Sequence, residues 1–327
     1  MKILITGAAG FIGSHLVKNH LAKGDEVWGV DNLTSGRKEN IEKEIGSPKF
    51  RFDVEDICKW NKLREAVEWS DRIYHMAAIV GMRLVLSDPI NTLHVNMRCC
   101  ERILETMTEV NKDVQLLIAS SSSVYGHDAK TTYREDAELK VMSGECIQQS
   151  YSLSKIMNEE MGLVYVYQKG QNCTIARLFN VVGLHQTGRY GMVIPNFVEQ
   201  ALKGLPLTVY GDGKQTRSFC NVYDAITAMD LLLSTPKSRG EIVNIGSDRE
   251  ISIYDLALLV REKTESQSEI RFVPYREAFG MDFKEILRRQ PKLEKLNRLT
   301  GFRSKYTLEQ TIDEVIANFK AVNSKLV

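Results

Sequence analysis

"ITGAAGFIGSHL", residues 5–16, is the stretch whose reading decides the fold. Gly7, Gly10 and Gly13 stand three apart, after the short β-branched run 3–6 and at the mouth of a helical pattern over 11–23. A tight turn, a close backbone approach to a pyrophosphate and close packing of helix on strand each leave no room for a Cβ, and this triplet serves all three. The blander reading is a plain strand-to-helix turn. The context favours a dinucleotide cradle, with Phe11 and Ile12 at the helix start among the cofactor contacts.

Eighteen residues after Gly13, Asp31 closes the second such run, with Asn32 beside it. A carboxylate there can accept hydrogen bonds from an adenosine ribose and repel a 2′-phosphate, which favours NAD over NADP. Arg37 and Lys38 lie close by and would suit a 2′-phosphate. Asp53, with Val54, follows the third run and is placed either to meet the adenine edge or to cap a helix or turn.

The runs 3–6, 26–30, 50–52, 72–75, 115–119 and 174–177 alternate with helical patterns over 11–23, 56–69, 88–110 and 151–168. That alternation predicts an α/β fold, a Rossmann-type doubly wound parallel sheet with helices on both faces. After residue 180 the pattern loosens, with helical stretches near 222–233, 253–263 and 308–319. The expected organisation is a dinucleotide-binding domain over 1–180, to which 219–250 returns, and a smaller C-terminal α/β substrate lobe from 181–218 and 251–327.

The 327 residues suit two lobes with sizeable cores, and 43 Lys plus Arg against 42 Asp plus Glu give no field favouring nucleic acid or an anionic membrane. Cys58, Cys99, Cys100, Cys146, Cys173 and Cys220 form no CxxC, and the six histidines no HxH or HExxH, so reduced thiols and no metal are expected. Glycines interrupt the apolar N-terminal stretch, and no run approaches the ~20 apolar residues of a membrane span. A cytoplasmic protein is the expectation.

Tyr-x-x-x-Lys places a phenol and an ammonium one helical turn apart. A phenol of pKa about 10 must fall by roughly three units to act as a base near neutrality, at about 4 kcal/mol, and a cation at about 4 Å supplies about that much. The pattern occurs at Tyr151/Lys155, Tyr165/Lys169 and Tyr210/Lys214. Tyr210 sits in the turn "YGDGK" and Tyr165 near a helix end closed by Gly170, whereas Tyr151 opens a helix beyond the fifth strand. Tyr151 and Lys155 are therefore the expected catalytic pair.

The glycine loop, "HMAA" (75–78, with Ala77 and Ala78), Asn96 in "HVNMR", the serine run 120–123, "YSLSK" and "RLFNVVG" occur in an order that resembles the extended short-chain dehydrogenase/reductases, in their NAD-dependent nucleotide-sugar epimerase and dehydratase branch. The resemblance covers nearly the whole chain. It implies cofactor contacts at Ala77, Ala78 and Asn96 and makes Ser121 the hydroxyl that bonds the sugar. Dehydratases of the branch resemble "TDEVYG", and decarboxylases usually keep a glutamate at the second of those positions, where this chain has Ser122 and then Ser123. A serine is no general acid or base near neutral pH without a partner. "SSSSVYG" also resembles UDP-glucuronate 4-epimerases, so the expected reaction is C4 epimerisation of a nucleotide-diphosphate sugar, UDP-linked for preference, through a transient 4-keto intermediate.

On the substrate side the resemblance points to Asn180 at the diphosphate and to Arg217 and Arg289 at phosphate, with Arg288 or Arg189 assisting. Leu184 stands where the branch commonly has Pro, and Lys292 where an Asp usually follows "RR-x-P". Relatives pair two long helices as a bundle, which implies a homodimer. The alternatives are an NDP-sugar decarboxylase or 4,6-dehydratase using the same C4 oxidation, and a non-catalytic NAD-binding protein of the same fold.

Overall fold

The computed structural model describes residues 1–110, 113–126, 132–141, 147, 149–188, 191–279 and 285–323. The first half alternates β1 (Lys2–Thr6), α1 (Phe11–Ala22), β2 (Glu26–Asp31), β3 (Phe50–Val54), α2 (Leu63–Trp69), β4 (Arg72–His75), α3 (Met82–Ser87), α4 (Pro89–Val110), β5 (Gln115–Ser121), α5 (Gln149–Lys169) and β6 (Asn172–Leu178). There follow β7 (Val181–Val182), α6 (Val193–Leu202), β8 (Leu207–Tyr210), β9 (Thr216–Ser218), β10 (Cys220–Asn221), α7 (Val222–Leu233) and β11 (Ile242–Ile245). The chain continues through β12 (Glu250–Ser252), α8 (Ile253–Lys263), β13 (Ile270–Val273), α9 (Tyr275–Phe279), β14 (Arg288–Arg289), α10 (Glu294–Thr300) and α11 (Leu308–Asn323).

Seven strands form one parallel sheet in the order β11-β6-β5-β4-β1-β2-β3. The chain winds from β1 to one edge at β3, then restarts at β4 and winds to the other. The reversal between β1 and β4 opens a crevice at the strand ends, where a doubly wound sheet collects its ligands.

Side-chain alternation explains why the sheet is covered on both faces. Ile3 and Ile5 face Leu16 and Val17 of α1 and Met229 of α7, while Leu4 and Ile73 face Ile103 and Leu104 of α4. Five consecutive β5 residues, Leu116–Ser120, are buried as a result. Each fully buried leucine contributes roughly 2 kcal/mol. A separate core joins Phe197 and Val198 of α6, Leu256 of α8 and Ile312 of α11, beneath β8 and its parallel partner β13.

Three expectations change. The helical pattern over 56–69 yields a helix only from Leu63, because the Asp56 carboxylate accepts from the Cys58 amide at 2.9 Å and closes a competing local turn. Four helices went unread, α3, α6, α9 and α10. The cysteines are not all reduced thiols: Cys58 and Cys99 are joined as a disulfide with Cα atoms 5.0 Å apart, and Cys100, Cys173 and Cys220 are free and buried. Packing of the 56–62 loop on α4 makes that pair, which sequence spacing does not reveal. Cys146 lies outside the described residues. The two sulfurs and Asp56 are the one cluster of metal-binding compactness among the described residues, and the disulfide engages both sulfurs. No described helix is long and apolar enough to cross a membrane.

Candidate active site

The cradle begins where β1 ends. Gly7 has φ +70°, and a Cβ there would lie 2.8 Å from the Ala77 amide nitrogen. A Cβ on Gly13 would lie 2.0 Å from the Gly7 carbonyl oxygen, so only glycine lets α1 seat on the loop. Gly10 holds the N-cap position in extended backbone, and no side chain caps the helix. The amides around Phe11 and Ile12 thus face an anion site. Asp31 ends β2 with its carboxylate accepting from Ala9 N at 3.0 Å and Leu33 N at 2.8 Å. A Cβ on Gly36 would sit 2.8 Å from both carboxylate oxygens, so the space beside Asp31 is kept open. Burial raises the Asp31 pKa against the lowering by these amides. An uncapped helix, a glycine cradle and a ribose-facing carboxylate fit a dinucleotide without a 2′-phosphate.

Other expected cofactor contacts are engaged with protein. Asn96 is fully buried, accepts from Ile79 N at 2.7 Å and donates to Ile79 O and Ser154 Oγ. It holds the segment after Ala77 and Ala78 against α5. Asp53 accepts from the Trp28 indole at 2.9 Å and from Lys62 at 3.1 Å, while Val54 is exposed and the exposed Asn32 closes a local turn on Thr34 N.

A cavity of about 520 Å³ opens beside the cradle, and Phe11, Ile12, Ala78, Ser121, Tyr151 and Lys155 line it. Ser122 and Ser123 line it as well. Alternation along β5 divides the serines. The Ser120 hydroxyl donates to Glu159, whereas Ser121 turns to the Tyr151 hydroxyl and accepts from Ser123 N and Oγ at 3.2 and 3.0 Å.

On α5, Tyr151, Lys155 and Glu159 repeat every four residues and share a face. Lys155 Nζ donates to the Ala119 carbonyl at 2.8 Å and lies 5.9 Å from the Tyr151 ring centroid. Glu159 is paired to Arg177 by bonds of 2.9 and 2.7 Å, both side chains being almost wholly buried. Burial lowers Lys155 to about 8, with Cys100 and Glu159 opposing. Burial pushes Tyr151 up to about 12, and the Ser121 hydrogen bond and the Arg289 charge only moderate this. The expected phenol acidified by its lysine is therefore corrected for the protein by itself, because desolvation of the phenolate outweighs the nearby cations.

The cavity wall also carries arginines from the C-terminal half of the chain. Arg217 in β9 donates to Ile286 O at 2.7 Å and is paired with Glu285. Arg289 in β14 points its other way: its Nε is buried without a partner among the described residues, and burial, then Arg217, lowers its pKa to about 10. Arg83 and Lys140 also line the wall, and Glu285 is its single carboxylate among the described residues. Such a site is matched to an anionic ligand. Asn180, at φ +32°, donates to Ser218 O and lines the same wall. Arg288 forks onto Glu250 at 2.8 Å and is not among the residues that line the cavity. Arg189 lies outside the described residues.

The competing pairs fall away by position. Tyr165 and Lys169 lie off the cavity wall near the end of α5; Tyr210 lines the cavity, but its lysine, Lys214, sits in a turn beside Asp212. Reading the chain alone missed Arg83, Gln186 and Glu285. Arg83 follows the end of β4, where a ligand-facing residue is to be sought, but nothing in "GLHQTG" marks its glutamine.

The chain is similar to known proteins along its length. Residues 3–246 match the model of the NAD dependent epimerase/dehydratase family. A UDP-N-acetyl-alpha-D-glucosaminuronate decarboxylase of Bacillus cytotoxicus is 35% identical over 325 residues, 99% of both chains. UDP-glucuronic acid decarboxylase 1 of Danio rerio is 33% identical over 97% of this chain and 72% of that one. The solved UDP-glucuronic acid 4-epimerase of Bacillus cereus, in complex with UDP-glucuronic acid and NAD, superposes with a TM-score of 0.88 at 28% identity, covering 98% of this chain and 100% of that one.

Proposed function

The chain belongs to the NAD-dependent epimerase/dehydratase family, with NAD as its cofactor, and on that premise we propose that it oxidises a UDP-linked uronate at C4 and releases CO₂ from the 4-keto acid. Full-length similarity to a decarboxylase of a UDP-uronate carries the choice of outcome.

NAD, when bound, would supply hydride-acceptor and hydride-donor chemistry and a positive ring charge. The cradle at Gly7, Gly10 and Gly13 and the Asp31 carboxylate hold it. Tyr151 takes the proton of the sugar 4-hydroxyl, Ser121 aligns the two oxygens, and Lys155 favours the phenolate. In the resulting 4-keto uronate the carboxylate is β to the ketone. The C5–C6 bond electrons flow into the C4 carbonyl as CO₂ leaves, and C5 then takes a proton. That sequence needs no carboxylate base, so Ser123 in place of a glutamate does not oppose it. Dehydration needs a proton removed at C5 and another delivered to the leaving hydroxyl, and the cavity's one described carboxylate, Glu285, is tied to Arg217. From the serines alone, re-reduction without carbon loss is the first expectation. The similarity to decarboxylases reverses that order.

C4 epimerisation is the second reading, favoured by likeness to the Bacillus cereus enzyme. UDP-glucuronate and UDP-N-acetylglucosaminuronate labelled with ¹³C at C6 separate the two when followed by NMR. Labelled bicarbonate with a UDP-pentose supports decarboxylation; retained label in a C4 epimer selects the second reading; no conversion of either refutes both.

We extend the proposal to a homodimer through α4 and α5, which expose Ile90, Met157, Val164 and Tyr167. Sedimentation should give a dimer that Val164→Glu dissociates, and a monomeric native protein would contradict it.

A further inference from the structure

Gln186 presents an acceptor that nothing in the protein answers. Its Oε1 is buried without a partner among the described residues, although the side chain lines the cavity shared by Ile12, Ser121 and Tyr151. The orientation of this amide follows from its other bond. Nε2 lies 2.8 Å from the Val181 carbonyl, which can only accept, so the atom turned away is the oxygen. A buried carbonyl oxygen in a native protein almost always has a donor, and here the missing donor belongs to a ligand.

Its neighbour shows which ligand. His185, at φ +67°, docks on the first turns of α1: Nδ1 is 3.2 Å from Ser14 Oγ and Nε2 is 3.2 Å from Lys18 Nζ. Ser14 Oγ donates to the Phe11 carbonyl, so His185 Nδ1–H donates to Ser14 and Nε2 accepts from Lys18. The 183–188 loop is thereby fastened to the cofactor helix. Gln186 thus joins that helix, through its neighbour His185, to β7, through the Val181 carbonyl.

We propose that Gln186 Oε1 accepts a hydrogen bond from the carboxamide NH₂ of the nicotinamide ring. This makes Gln186 a positioning residue: with the Val181 carbonyl fixing its amide, it sets the rotation of the ring and so the face presented to the sugar C4. The inference rests on the cavity being the NAD site of the proposed reaction.

Dissociation constants measured by calorimetry for NAD, its 3-acetylpyridine analogue and ADP-ribose test it on nucleotide-stripped wild type, Gln186→Met and Gln186→Glu. The analogue replaces the NH₂ by methyl and keeps the ring charge. Wild type should favour NAD over the analogue by about tenfold, the worth of one neutral hydrogen bond. Gln186→Met should abolish that preference through NAD alone, leaving analogue and ADP-ribose affinities unchanged, and Gln186→Glu, which keeps an acceptor but loses the donor that fixes it on the Val181 carbonyl, should retain it only in part. Equal affinity of wild type for NAD and analogue, an undiminished preference in Gln186→Met, or loss of ADP-ribose binding along with NAD in that variant overturns the inference. Wild type binding none of the three overturns the site reading, and this inference with it.

Discussion

Lys155 donates to the Ala119 carbonyl at 2.8 Å while its ammonium lies 5.9 Å from the centre of the Tyr151 ring. The lysine is thus fixed by β5, and the phenol beside it feels its charge from a set position. A cation about 4–6 Å from a phenolate oxygen, at an effective dielectric near twenty, is worth roughly 3–4 kcal/mol, or about two to three pH units.

Lys155→Met should therefore move the acid limb of the kcat/KM profile upward by about two to three units, so that turnover near pH 7 falls at least about a hundredfold. Activity should rise with pH in both proteins, because the phenolate is the base and burial holds Tyr151 at about 12 before ligands add their charge. An unmoved limb would contradict the role. Tyr151→Phe should reduce turnover by about a thousandfold or more with an unchanged circular dichroism spectrum.

Stability carries the same lysine's signature. Burial lowers Lys155 to about 8 in the folded protein, from an ordinary lysine value of 10.5. Between those values the unfolded chain binds more protons, so stability rises with pH there, by an amount on the order of 3 kcal/mol over the whole window. Urea unfolding from pH 8 to 10 should show wild type gaining on Lys155→Met, and a constant difference would refute the shift.

Breaking the buried Glu159–Arg177 pair leaves a charge without its partner. Glu159→Gln should cost about 3–5 kcal/mol in urea unfolding. The double variant Glu159→Gln/Arg177→Met should lose less than the sum of the two singles, and additivity would show the pair to be uncoupled.

Arg289 places a charge with an unpartnered Nε in the cavity wall. Arg289→Met should raise KM for the UDP-uronate by about 10- to 100-fold, the worth of a charge-assisted bond, and leave NAD affinity alone. An unchanged KM excludes it as a substrate contact.

Asp31 ends β2 beside the glycine cradle. Asp31→Asn should lower the preference for NAD over NADP by about tenfold or more, read as a ratio of dissociation constants, because the repulsion of a 2′-phosphate is removed. A preserved ratio would assign discrimination elsewhere.

What the sequence by itself determined lies within a few residues along the chain. The glycine cradle, the alternation that makes a doubly wound sheet and the shared face of Tyr151 and Lys155 are properties of backbone periodicity, which hydrogen bonding sets locally. Tertiary structure alone decided the charge state of the site. Whether Tyr151 is acidified depends on how far its surroundings bury it, and burial raises it. Alternation along a two-residue strand sent Arg288 to Glu250 and left Arg289 in the cavity, a choice made by the register of β14 on β9. The Cys58–Cys99 bond and the unanswered oxygen of Gln186 arise the same way, from segments distant in sequence packed side by side. Desolvation and long-range contacts are sums over neighbours that the order of residues does not name.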